Sequence, residues 1–121
     1  MSRQILVVDD SDSVRRLISS TLRMAGYAPV EATDGQEALD RVRSAMPAAV
    51  ITDQNMPRLD SIGFIQAFRR MPGSAGVPVI FLSTENADAL KQKARAAGAI
   101  GWMTKPFDDQ KLLGVVRKVV G

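Results

Sequence analysis

The sequence predicts an open α/β sheet, five parallel strands with helices packed on both faces. Three observations carry that expectation. Short apolar runs alternate five times with stripes of helical period along the 121 residues. Strict strand–helix alternation makes the strands parallel, because a chain returning in the same direction needs a crossover. No linker, repeat or low-complexity stretch interrupts the pattern, and 121 residues at 45% apolar is the size and composition of one domain.

The elements follow in order. "ILVV" (5–8) is a buried strand, and Val14, Leu17, Ile18, Thr21 and Leu22 fall at i, i+3, i+4, i+7 and i+8, one face of a helix. Asp12 is read as that helix's N-cap. "GY" at 26–27 ends it, and "APVEA" alternates as a second strand. Asp34 caps a helix carrying Ala38, Val42 and Ala45, Pro47 closes it, and "AAVIT" is the third strand. A helix with Ile62, Ile65 and Phe68 runs to "PGSAG", and "VPVIFL" (77–82) is the fourth strand. Ala87, Leu90, Ala94 and Ala97 form the next stripe, stopped by Gly98. "IGWMT" is the fifth strand, Asp108 and Asp109 cap the final helix, and Leu112, Val115, Val116 and Val119 are its apolar face.

Composition excludes several chemistries. With no Cys and no His, the chain has no thiolate or imidazole for nucleophilic catalysis or metal ligation. Any metal must be held by oxygen, which favours a hard cation such as Mg²⁺ or Ca²⁺. A net charge of +3 is spread over scattered bases, including the pairs Arg15-Arg16 and Arg69-Arg70, read as solvated surface. There is no basic stripe interleaved with aromatics, so nucleic acid is not an expected partner. No apolar run approaches the ~20 residues of a membrane span, and "MSRQ" shows no signal-peptide pattern, so a cytoplasmic location is expected.

In open parallel sheets, ligands sit beyond the carboxyl ends of the strands. At those ends stand Asp9-Asp10, Asp53, Ser83-Thr84 and Lys105-Pro106. Singly, each reads as a cap or a solvated side chain. Together, three carboxylates on one rim repel one another unless a divalent cation lies among them. A carboxylate nucleophile, a metal, an ammonium and a hydroxyl are the parts of a phosphoryl transfer. The residues alone leave open which Asp is the nucleophile.

"ILVVDDSDSVRRLI", "VITDQNMPRLD", "VIFLSTE" and "AGAIGWMTKPF" resemble the receiver domain of two-component response regulators, in the family's order and over the whole chain. The resemblance implies a flavodoxin-like sheet of strand order 2-1-3-4-5, for which the chemotaxis receiver CheY is itself a standard example. It implies one CheY-like receiver domain over 1–121 with no output domain. Asp53 then accepts a phosphoryl group from a histidine kinase. Asp10, Asp53 and the Asn55 carbonyl bind Mg²⁺, with Asp9 reaching it through water. Lys105 and Ser83 hold the phosphoryl group, Trp102 takes the place of the switch aromatic, and Gln54, Asn55 and Glu85 tune the acyl-phosphate lifetime. The Lys105–Pro106 bond is expected to be cis, against a general rate near ~5–6% for X-Pro bonds.

Such a protein is no enzyme beyond its own phosphorylation and dephosphorylation. Its expected output is chemotaxis, through a flagellar switch or another protein target, with a phosphate sink or adaptor as the alternative. "MPRLDS" departs from the family's usual "MPxMDG", placing Ser61 where Gly is common. A rival resemblance is to haloacid-dehalogenase-type phosphatases. There Asp10 is nucleophile, Asp12 general acid, and Ser83, Lys105 and Asp108-Asp109 supply later motifs, but Asp53 has no role.

Overall fold

The computed structural model describes residues 3–53, 61–84 and 88–120. In chain order the elements are β1 (Gln4–Val8), α1 (Asp12–Met24), β2 (Ala28–Ala32), α2 (Gly35–Ser44), β3 (Ala49–Asp53), α3 (Ser61–Arg69), β4 (Val79–Ser83), α4 (Asp88–Ala97), β5 (Gly101–Thr104) and α5 (Asp109–Val120). All five strands are parallel in the order β2-β1-β3-β4-β5. The order reverses between β1 and β3, because the chain leaves β1 toward one edge and returns through β3 toward the other.

Strand alternation divides the core into two layers. Leu6, Val8, Val50, Val79, Phe81 and Trp102 face α2, α3 and α4, where Val42, Phe64, Phe68 and Ala94 meet them. Ile5, Val7, Ile51, Ile80, Leu82 and Met103 face α1 and α5, against Ile18, Leu22, Leu112 and Val116. Every residue of β3 and β4 is buried, as in a sheet covered on both faces. Phe64 and Phe68, one helical turn apart, stack at 5.8 Å between centroids and anchor α3.

Three local readings are corrected. The N-cap of α1 is Ser11, not Asp12: Ser11 is extended and its side chain accepts from the Val14 amide. Asp12 is the first helical residue, where the helix dipole favours its charge. The fourth strand begins at Val79, because the Val77 amide closes a turn onto the Ser74 carbonyl. Arg15 and Arg69, expected on solvated surface, are drawn inward. Arg15 is 9% exposed. Arg69 is half-buried and clasps the Ser74 and Gly98 carbonyls at 2.5 and 2.8 Å. Asp34 and Asp108 do cap α2 and α5, each accepting an amide hydrogen bond at 2.8 Å.

Candidate functional site: a carboxylate rim at the strand ends

The reversal point puts the ends of β1 and β3 side by side, and the acidic residues follow from that. Asp9 leaves β1 fully buried, and Asp53 closes β3 with 7% exposure, while Asp10 is exposed. Carboxylate oxygens from all three lie within 4.8 Å of one another. Buried like charges at this spacing require a compensating cation.

Lys105 supplies part of it. Its Nζ donates to Asp53 Oδ1 at 2.8 Å and to Asp9 Oδ2 at 3.1 Å. Burial alone would pull the ammonium's pKa down, but the hydrogen bonds and charges of Asp53 and Asp9 outweigh it and hold the pKa above the usual lysine value. β5 delivers Lys105 to this place: Thr104 pairs with Ser83 in the sheet, and the Lys105 amide donates to the Ser83 carbonyl at 2.7 Å. The Lys105–Pro106 peptide is cis. Ser83 is buried at the end of β4, next to β3 in the sheet.

Asp9 is held on both oxygens, since Oδ1 accepts from the Ser11 amide at 2.9 Å. Asp10 has no hydrogen-bond partner among the described residues. The donor set fits a hard divalent cation, because every available ligand atom is a carboxylate oxygen. Asn55, Gln54 and Glu85 lie outside the described residues.

The architecture and this geometry agree with the comparisons to known proteins. Residues 5–117 match the response regulator receiver domain. The chain belongs to the response regulator receiver family.

Its relatives include a probable chemotaxis protein CheY of Rhizobium etli, 34% identical over 98% of this chain and 92% of that protein. A probable transcriptional regulator ycf27 of Guillardia theta is 36% identical over 97% of this chain, which spans only 45% of that longer protein. Among solved structures, the chemotaxis protein CheY4 of Vibrio cholerae superposes with a TM-score of 0.95 at 38% identity, covering 98% of this receiver and 99% of that chain. The strand order expected from the sequence is thus observed and shared with the family. The phosphatase reading finds no support. Asp12 is tied to Arg15 at 2.5 Å, and Asp108 and Asp109 are engaged as the α5 cap and as an acceptor for Thr21.

Strand alternation puts Trp102 on one face of the sheet and Met103 on the other. It is half-buried, its ring 4.9 Å from Phe81 and 5.6 Å from the Lys91 ammonium. Its indole Nε1 is enclosed and has no hydrogen-bond partner among the described residues. Among the described residues no helix is long and apolar enough to cross a membrane. The residue that sequence reasoning missed is Arg15. Its signals were a base five positions after Asp10 and a place three residues before Ile18 and seven before Leu22, on the buried face of α1.

Proposed function

We propose that this receiver is a phosphoryl-accepting switch in which Asp53 is the acceptor. The observation that supports it best is the Lys105 ammonium lying between Asp53 and Asp9 inside a three-carboxylate cluster. In the proposed step an Asp53 carboxylate oxygen attacks phosphorus, its P–O bond forms as the donor's P–N bond to a kinase histidine breaks, and the released imidazole takes up a proton. Lys105 moves from balancing two carboxylates to pairing with a phosphoryl oxygen, and the Ser83 hydroxyl donates to another. Asp10, Asp53 and Asn55 would hold Mg²⁺ directly and Asp9 through water; when bound, Mg²⁺ neutralises charge on the transferred group.

Phosphorylation then alters the surface formed by α4, β5 and α5, on which Trp102 and Lys91 stand. The partners are a histidine kinase and a downstream protein target, in chemotaxis by analogy with the CheY relatives, and the protein's own catalysis is confined to gaining and losing its phosphoryl group. Incubation with acetyl phosphate and Mg²⁺, followed by intact-mass measurement, tests the reading. One hydroxylamine-labile phosphoryl group is expected, and no adduct would overturn it.

A further inference from the structure

The carboxylate cluster has a support that none of its members supplies. Arg15, in the first turns of α1, donates in three directions. Nη1 reaches the Asp9 carbonyl at 2.8 Å, Nε reaches Glu31 on β2 at 3.0 Å, and Nη2 reaches Asp12 at 2.5 Å. The Asp9 carbonyl belongs to the peptide bond joining Asp9 to Asp10. Its hydrogen bond therefore fixes the plane from which the Asp10 side chain departs.

That matters because the three carboxylates are held unequally. Asp9 is tied by Ser11 and Lys105, and Asp53 by Lys105. The exposed Asp10 carboxylate has no hydrogen bond among the described residues, so its place in the cluster depends on its backbone. The charge of Arg15 is also answered locally. Asp12 and Glu31 each form an ion pair with the guanidinium. A guanidinium fork can serve three acceptors at fixed angles, which an ammonium cannot.

We propose that Arg15 is a positioning residue for divalent-cation binding, acting through the Asp9–Asp10 peptide to hold Asp10 in ligating position. The inference rests on reading the cluster as a cation site. It is tested by calorimetric titration of metal-stripped protein with Mg²⁺ alone, with urea unfolding in parallel. Arg15→Met, which keeps the length of the side chain but cannot donate, should weaken Mg²⁺ binding about tenfold, as losses of outer-shell partners commonly do. Arg15→Lys keeps a donor for the carbonyl and should recover most of that affinity. It also serves if the Met variant fails to fold. Glu31→Gln loses the ion pair but leaves the Arg15–Asp9 bond, so it should destabilise the fold while binding Mg²⁺ as the wild type does.

Unchanged Mg²⁺ affinity in Arg15→Met would overturn the assignment. So would an equal loss in Glu31→Gln, which would make the effect one of general stability. Wild-type protein that binds no Mg²⁺ would instead overturn the cation reading beneath it.

Discussion

Lys105 Nζ lies 2.8 Å from Asp53 Oδ1, a contact between residues 52 positions apart that joins the ends of β5 and β3 across β4. The ammonium already pairs with the carboxylate proposed as the acceptor. The pair's position makes Asp53 the carboxylate whose reaction Lys105 can assist.

Asp53→Ala should therefore take up no phosphoryl group from acetyl phosphate, while Asp10→Asn and Asp12→Asn remain modifiable at Asp53, the former much more slowly. Intact mass after a timed incubation reads all three. An adduct persisting in Asp53→Ala would place the acceptor elsewhere.

Mg²⁺ should raise the melting temperature of the wild type, since a ligand at 100 times its dissociation constant stabilises by about 2.7 kcal/mol. Asp10→Asn should lose most of that shift. Asp12→Asn should keep most of it, because Asp12 lies on Arg15 and outside the cluster. Equal losses in the two variants would contradict the geometry.

The raised pKa of Lys105 has a defined sign for stability. A group whose folded pKa lies above its unfolded value contributes fully below the unfolded pKa, about 10.4 for lysine. That contribution fades as pH rises through the folded pKa. Melts between neutral pH and the alkaline range should show a loss in wild type that is smaller in Lys105→Met. Asp12, lowered by its hydrogen bond and charge contact with Arg15, works in the opposite sense. Its contribution is present above about 3.9 and is lost as pH falls through the folded value.

Gly98 ends α4 with φ +121, and a Cβ there would fall 2.7 Å from Arg69 Nε. Gly98→Ala should cost more than about 1 kcal/mol, because it combines an unfavourable backbone region with displacement of the Arg69 clasp. Urea denaturation measures it. A neutral result would mean that Arg69 yields freely.

Beryllofluoride with Mg²⁺, mimicking the acyl phosphate, should change the emission of Trp102, the single Trp of the chain. The Ser83→Ala variant should reduce the change, since the hydroxyl is the proposed differential contact between the two states. Trp102 takes the place of a switch aromatic that is usually Tyr or Phe. Its bulkier indole already packs on Phe81, so its inward turn on activation should be smaller than a Tyr would make. Emission indifferent to beryllofluoride, with partner binding still responsive, would make Trp102 a bystander.

By itself the sequence determined the alternation of five strands and five helices, the parallel sheet that alternation requires, and the acidic, hydroxyl and ammonium residues at the strand ends. Those features are legible because they are local: period 2 or 3.6 in the apolar residues, and a change to polar residues where each strand stops. The same alternation assigned Trp102 and Met103 to opposite faces. Tertiary structure alone decided which rim residues touch. Lys105 meets Asp53 and Asp9 because β5, β3 and β1 end on one edge, a convergence across dozens of residues that no local period encodes. Arg15 is the clearest case. In sequence it is half of a basic pair, and only the meeting of β2, the Asp9 carbonyl and the start of α1 surrounds it with acceptors. Burial of a charge is decided by the partners that arrive around it, and those partners come from elsewhere in the chain.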